Sequence, residues 1–419
     1  MHTLKIVNMV ITIVFMACYF YQFVYIPIAL FGRKRKKEVK LTEHNFAVLI
    51  CARNEEKVIR DLLNSIKSQD YNQDKITVFV AADNCTDHTA SYAREEGAVV
   101  YERFNDELVG KGYALQELMQ YIHKNYPGVF DGFFVFDADN LLRKNYITEM
   151  NRKFSEGYDV LTSYRNSKNF GSSWVSAGYA LWFLRESVYL NGARDVLNSS
   201  CNISGTGFLF SKAIANEIVD WPFHMLTEDL EFSAYEITKG RKIGYCGSAE
   251  LFDEQPITFR QSWRQRKRWA RGYMQVLIGY GKKLIKGMFR GSFSCFDMSM
   301  NIMPAYILSI ASIIFGIIFG IRGAIIGEDA MIAVQSIGEL AFNLYSVMFF
   351  MGLLTTITEW NKIHARTWQK IIYLLTFPVF MFSYFPIAIS SLFGKVEWKP
   401  IEHTLSADKL PKIKAQKML

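Results

Sequence analysis

Phe133-Phe134-Val135-Phe136 runs directly into Asp137-Ala138-Asp139. Four apolar residues in succession read as a buried strand. Two carboxylates at i and i+2 past its end can reach one hard cation through oxygen ligands, and a divalent ion there would hold nucleotide phosphates. The bland alternative is a solvated acidic turn; the apolar strand before it weights the reading toward metal. Moving outward, Phe46 to Cys51 reads as a strand closed by Arg53-Asn54-Glu55, and Ile76 to Ala82 as one ending at Asp83-Asn84. Ala98 to Tyr101 gives another strand. Helical patterns fill the intervals at Glu55 to Lys67, Thr86 to Glu96 and Gly110 to Lys124. This alternation predicts an α/β fold, a parallel-rich sheet with helices on both faces. Ligands in such sheets sit beyond the carboxyl ends of strands. Three strand ends here bring polar groups together: Arg53, Asn54 and Glu55; Asp83; Asp137 and Asp139. No Walker A and no GxGxxG opens a helix, so ATPase and dinucleotide-binding readings lose support.

The mean hydropathy of +0.05 fits either one uniform soluble protein or an average of a polar domain and membrane spans. Position along the chain decides for the second. Ile6 to Phe31 carries no charge and is long enough to cross a bilayer. Arg33-Lys34-Arg35-Lys36-Lys37 follows, and such a cluster stays cytoplasmic. A cleaved signal peptide fits poorly, because the apolar run is too long and the basic cluster lies on the wrong side. Further apolar runs cover Ile302 to Ile321, Ala330 to Ile357 with only Glu339 charged, and Ile371 to Phe393 with Pro378 and Pro386. The prolines allow the last run to bend rather than cross, and the lysines after it favour a cytoplasmic tail. The expected layout is a membrane helix and basic flank at 1–39, a catalytic α/β domain at 40–254, amphipathic interfacial helices at 255–293, a membrane region at 294–394 and a basic tail at 395–419. Six scattered cysteines without a CxxC pair give neither a disulfide frame nor a zinc site.

Other groups outside the first cluster carry chemistry. Lys111 lies at a helix start behind Gly110, suited to phosphate, although a lone lysine there is more often surface. Thr227-Glu228-Asp229 precedes a helix; Asp229 suits a general base, while capping by Thr227 is the commoner reading of such a triplet. Gln265, Arg268 and Trp269 share one helical face. Arginine can grip a diphosphate and tryptophan can stack on a sugar. The alternative is a basic amphipathic helix on a membrane surface. The basic, aromatic run could serve nucleic acid, but apolar spans beside it argue against a nucleic-acid partner. Trp398 to Thr404 places Trp398, His403 and Thr404 together, either as a site contact or as an interfacial anchor.

Taken in order, Asp83, Asp137-Ala138-Asp139, Thr227-Glu228-Asp229 and Gln265-xx-Arg268-Trp269 resemble the motif series of the family 2 glycosyltransferases. The resemblance is specifically to the membrane-bound processive polysaccharide synthases that make cellulose, mixed-linkage glucan, hyaluronan, chitin or poly-N-acetylglucosamine. It covers about Phe46 to Trp269 plus the membrane layout. The resemblance implies a GT-A-type catalytic domain acting on a UDP-sugar with Mg2+ or Mn2+. By it, Asp83 contacts the uridine, with Arg53, Asn54, Glu55 and Lys111 lining the nucleotide site. Asp137 and Asp139 bind the diphosphate, Asp139 through the metal. Asp229, beside Glu228, deprotonates the acceptor. Gln265, Arg268 and Trp269 hold the diphosphate and the acceptor end. Gly205 and Thr206 fall where related synthases shape the acceptor site, and Trp398 to Thr404 resembles a gating loop in position. The implied activity is inverting polymerisation of a UDP-sugar, glucose before N-acetylglucosamine, into a β-linked polysaccharide such as a β-glucan, coupled to secretion. The implied setting is the plasma membrane with its lipids, a cytoplasmic catalytic domain and compatibility with a homo-oligomer. A glycolipid synthase shares the Gln265-xx-Arg268-Trp269 pattern. A transporter has little support, because Glu339 alone lies within the apolar runs.

Overall fold

A computed structural model describes residues 2–32, 40–218, 221–303, 318, 330–396, 403 and 405. Arg33 to Lys37, most of the run Ile302 to Ile321, Trp398, Thr404 and most of the remaining basic tail lie outside the described residues. The chain opens with helix α1 (His2–Phe31). The α/β unit then runs β1 (Phe46–Ala52), α2 (Ile59–Lys67), β2 (Ile76–Asp83), α3 (Thr89–Glu95), β3 (Val99–Arg103), α4 (Lys111–Asn125) and β4 (Gly132–Asp137). After it come β5 (Leu141–Leu142), α5 (Tyr146–Phe154), β6 (Val160–Ser167), α6 (Trp174–Arg185), a π-helical turn (Glu186–Asn191) and α7 (Gly192–Val196). Next are β7 (Phe208–Ser211), α8 (Lys212–Glu217), α9 (Glu228–Thr238), β8 (Ile243–Asp253), α10 (Phe259–Phe289) and α11 (Phe293–Ile302). Three later helices are α12 (Ala330–Thr358), α13 (Thr367–Phe382) and α14 (Tyr384–Ser391).

One eight-stranded sheet has the order β3-β2-β1-β4-β7-β6-β8-β5. The first four strands are parallel, which suits their apolar runs. Phe133 and Val135 of β4 face the cluster under α4, while Phe134 and Phe136 pack with Leu62 and Ile66 of α2. Both faces of the strand are therefore buried. The second half is mixed rather than parallel. Strand β7 runs antiparallel to both β4 and β6, and β5 antiparallel to β8. Gly207 lets β7 enter beside β4: its φ is +66°, and a β-carbon there would lie 2.0 Å from Leu251 Cδ2. No larger residue fits without displacing β8.

Helix α2 begins four residues later than the pattern at Glu55 predicts. Asn54 adopts φ +58°, and the Glu55 N–H donates to Thr89 Oγ1 at 2.8 Å. The loop from Arg53 is thus tied to the start of α3 instead of entering α2.

The flanking helices pack on this unit. Arg194 and Asp297 form a buried ion pair at 2.6 Å, and Tyr21 and Tyr25 of α1 donate to the same carboxylate at 2.7 and 3.1 Å. Tyr164 of β6 donates to Glu359 at 2.6 Å, just past α12. Arg266 of α10 donates to the Phe380 carbonyl of α13 at 2.9 Å. Ala341–Thr358 and Thr367–Ser391 are long and apolar enough to cross a membrane. In α1 the described side chains give a shorter apolar stretch, Met16–Phe31. Phe342, Phe350, Ile371, Leu375 and Val379 are exposed on these helices. The last run is not one straight helix; it breaks at Ser383, five residues after Pro378.

Asp297→Ala leaves the Arg194 guanidinium buried without its carboxylate. The expected cost is about 3–5 kcal/mol, read as a fall in Tm of the purified protein in detergent. A paired Arg194→Met, Asp297→Leu variant is expected to recover most of it.

Candidate active site

A cavity of about 380 Å³ opens beyond the carboxyl ends of β1, β2 and β4, between the sheet and α10. Most of the residues singled out in the sequence line it: Arg53, Glu55, Asp83, Lys111, Asp137 and Asp139 from the sheet side, Glu228, Asp229, Gln265, Arg268 and Trp269 from the helical side. Gly205 and His403 complete this set. Asn54 and Thr206 do not line it. Asn54 is exposed and accepts from the Thr86 N–H at 2.8 Å. Thr206 is buried; its hydroxyl accepts from the Asp137 N–H at 2.9 Å and donates to Asn140 Oδ1 at 2.5 Å. Thr206 therefore braces the Asp137–Asp139 turn from behind.

Charge is distributed unevenly along the cavity. Asp83 is held by Arg103 at 2.7 Å, and Arg103 also reaches Glu117 at 2.7 Å. Asp137 pairs with Lys111, whose Nζ also donates to the Gly205 carbonyl at 2.8 Å. Burial lowers the Lys111 ammonium's tendency to hold its proton, but Asp137 and Glu228 outweigh it and leave the group charged. Asp139 Oδ2 accepts from the Glu254 N–H at 2.7 Å. Burial raises the Asp139 carboxyl, yet His403, Lys168, that N–H and Arg165 together hold it below its usual value. His403 Nδ1 sits 3.0 Å from both Glu55 oxygens. Burial opposes its charge, but the carboxylates of Asp139, Glu55 and Glu254 push it up to about 10.

The acidic pair at the start of α9 faces the opposite balance. Burial, then the Asp229 charge, pushes Glu228 up to about 7. Burial also raises Asp229, against the pull of Lys111 and Arg268. Asp229 Oδ2 lies 3.9 Å from where a Gly205 β-carbon would stand. Gly205 thus has its carbonyl on Lys111 and its Cα beside Asp229. The capping reading of Thr227 fails: its hydroxyl makes no cap hydrogen bond and is buried without a partner among the described residues. The physical reason is α10. A β-carbon on Gly272 would stand 2.4 Å from Thr227 Oγ1, so the passing helix occupies the space beside that hydroxyl. Gln265 Oε1 is likewise buried and unpartnered. Arg268 Nη1 donates to the Leu226 carbonyl at 2.7 Å. Trp269 is half-buried, edge-on to Tyr179 and Phe183 at 5.6 and 6.0 Å between ring centres.

Sequence reasoning missed the second charged layer. Arg165 Nε donates to Asp253 at 2.6 Å and Nη1 to the Ser204 carbonyl at 2.6 Å, and both residues line the cavity. Gln255 donates to the other Asp253 oxygen at 2.6 Å. The available signal was the apolar Leu251-Phe252 before Asp253-Glu254, the same strand-then-acid pattern as at Asp137.

Among the described residues no group of three or more His, Cys, Asp or Glu forms a metal cage. The residues fit a divalent ion of the kind held by one or two carboxylates and completed by substrate phosphates. Asp137 and Asp139 supply hard oxygen donors, and the surroundings keep Asp139 ionised.

Residues 44–272 match the family described as "Glycosyltransferase like family 2". The "Probable glycosyltransferase YdaM" of Bacillus subtilis is 24% identical over 347 residues, 75% of this chain and 76% of that protein. A "Beta-monoglucosyldiacylglycerol synthase" of Nostoc is 26% identical over 68% of this chain, which spans 60% of that enzyme. A "Poly-beta-1,6-N-acetyl-D-glucosamine synthase" of Staphylococcus aureus is 25% identical over 68% of this chain, which spans 65% of that enzyme. In three dimensions the chain is similar to a mannosyltransferase of Pyrobaculum calidifontis solved with GDP-Man and Mn2+. The TM-score is 0.57 at 16% identity, covering 93% of this chain and 99% of that one, a likeness of fold alone. The fold is accordingly GT-A-like, and with more than half its length matched the chain belongs to the glycosyltransferase-like family 2.

Proposed function

We propose that this chain is an inverting membrane hexosyltransferase that uses a UDP-sugar, UDP-glucose first, to extend a β-linked polysaccharide such as a β-glucan. One observation carries the reading: Lys111, Asp137 and Asp139 meet the Glu228–Asp229 pair through Gly205 within a single cavity. That arrangement sets an anion-binding wall against a candidate base. Asp83 and Arg53 lie at the end suited to the nucleoside. Asp137 and Asp139 would hold a divalent ion, whose chemistry is to neutralise diphosphate charge. Lys111 and Arg268 supply fixed positive charge to the same group. Asp229 takes the proton of the acceptor hydroxyl. The acceptor oxygen bonds to the anomeric carbon as the bond to the diphosphate oxygen breaks, and its electron pair leaves with UDP. A single displacement from the side opposite UDP converts an α-linked donor into a β-linked product.

The membrane setting rests on the two long apolar helices, their exposed side chains and the basic run Arg33 to Lys37. By the positive-inside rule the catalytic domain lies in the cytoplasm. A second reading, a glycolipid synthase that adds one sugar to a membrane lipid, is favoured by the similarity to the monoglucosyldiacylglycerol synthases.

Purified protein in nanodiscs, given UDP-glucose or UDP-N-acetylglucosamine with Mg2+ or Mn2+, is expected to release UDP and form a polymer cut by β-specific glycanases. An organic-extractable monoglycoside would favour the second reading; no UDP release with any donor would sink both. Asp229→Asn is expected to lower transfer at least about 100-fold, the scale of a lost general base, while UDP binding by calorimetry persists. Loss of that binding in a folded variant counts against the base assignment. With wild-type protein, kcat/KM should rise as pH climbs through about 7, because Glu228, held up by burial and the Asp229 charge, then loses its proton beside the base. Glu228→Gln removes the group that titrates near 7 and should move that rising limb to lower pH. A limb that stays in place would contradict its assignment to Glu228.

A further inference from the structure

Helix α10 lines the cavity only with its first half, as far as Tyr273. Its second half, from Val276 to Phe289, has no part in the chemistry above and presents two different faces. Val276 and Leu284 are buried in one cluster with Leu230 and Ala234 of α9 and Cys295 and Met298 of α11. The other face is exposed. Ile278, Ile285 and Phe289 fall at i, i+7 and i+11, which is one stripe of a helix. Ile278 is 78% exposed and Phe289 82%. Lys283, Lys286 and Arg290 fall at i, i+3 and i+7 and make a second exposed stripe beside the first. Lys282 lies between the two, on a stem long enough to carry its ammonium clear of the apolar side chains.

These four cations form no ion pair among the described residues. No acidic residue occurs anywhere between Glu254 and Asp297, so the helix supplies no counter-charge of its own. The first half of α10 is engaged elsewhere: Arg266 donates to the Phe380 carbonyl and Arg271 to the Ser391 carbonyl. The amphipathic character expected over 255–293 is therefore free to act only in the second half.

The apolar surface continues beyond the helix. Phe293 of α11 and Leu197 after α7 are both exposed and flank one surface hollow. Next to Leu197, Val196 stands against the end of α1: a β-carbon on Gly32 would lie 2.7 Å from Val196 Cγ1. Phe31 at that end is 81% exposed. The rim thus runs from α10 to the last turn of the apolar helix α1. A protein partner fits it poorly, because the centres of protein interfaces are depleted of lysine. A bilayer surface fits both stripes at once: the apolar side chains reach the acyl boundary while lysine and arginine meet the headgroup phosphates. The surplus of cations selects anionic lipid.

We propose that the second half of α10, together with Phe293, Leu197 and Phe31, is a docking surface for the anionic headgroups of the bilayer. The proposal rests on the membrane setting read above and is independent of the transfer chemistry. Because the same helix carries Gln265, Arg268 and Trp269, docking its far end holds the cavity wall at a set distance from the membrane.

The test is photo-crosslinking of the full chain, with p-benzoylphenylalanine in place of Phe289. The nanodiscs contain equal parts of phosphatidylglycerol and phosphatidylcholine, and the intact mass after illumination identifies the attached lipid. Val379, exposed on α13, and Phe104, exposed after β3, are the comparison positions. Position 289 should give at least tenfold more lipid adduct than position 104. Its adducts should favour phosphatidylglycerol at least threefold. Combining Lys283→Gln, Lys286→Gln and Arg290→Gln should bring that lipid ratio to parity without changing the adduct at position 379. Parity in the chain that keeps these cations overturns the proposal, as does a ratio that the triple variant leaves unaltered. Should the triple variant fail to fold, the ratio with the cations in place decides alone. Lipid adducts at position 379 with none at 289 sink the docking surface and leave the membrane setting standing. Adducts at neither position remove both.

Discussion

The structure depends on balancing carboxylates that the sheet delivers to one edge. Glu55, Asp83, Asp137, Asp139 and Asp253 all lie at or just beyond strand ends, and Glu228 and Asp229 face them. Left alone, such a cluster would repel itself and protonate. The fold answers with cations from distant parts of the chain: Arg103 on Asp83, Lys111 on Asp137, Arg165 on Asp253 and His403 on Glu55. Each brings its own element into register with the cavity. The compensation stops at Glu228 and Asp229, which form no ion pair among the described residues and feel Lys111 and Arg268 only at longer range. Burial raises the proton affinity of both, Glu228 to about 7, and raises that of Glu55, Asp83 and Asp253 as well despite their cations.

Much of this was legible in the amino-acid order, because it is local. Continuous apolar runs produced β1, β2 and β4 within a residue or two of their observed ends, since a strand buried on both faces tolerates no polar interruption. Acidic residues at the ends of those strands were visible for the same reason. What was not legible depends on contacts far apart in sequence. Strand β7 is only four residues long and antiparallel, so neither its length nor its pattern announced it. Arg165 and Asp253 meet across 88 positions, and nothing near either residue marks the other. Thr227 illustrates the reverse error. Its local setting suits a helix cap, but the close passage of α10 at Gly272 decides the outcome.

The helical elements do more than anchor the domain. Helix α10 forms one wall of the cavity and also packs on α9, α11 and α14. Arg266 reaches α13, while Gln265, Arg268 and Trp269 line the cavity. One helix thus joins the cavity wall to the apolar helices. Movement of those helices would be felt at the wall directly, without an intervening loop.

The contact between His403 and Glu55 joins residues 348 positions apart. Glu55 leaves the ribosome before α12, α13 and α14 are made, and His403 follows only after them. The sheet and its first cations can be in place long before that ring arrives. Synthesis therefore imposes an order on the charge balance: the anionic edge forms first, and this cation follows 348 residues behind the carboxylate it balances.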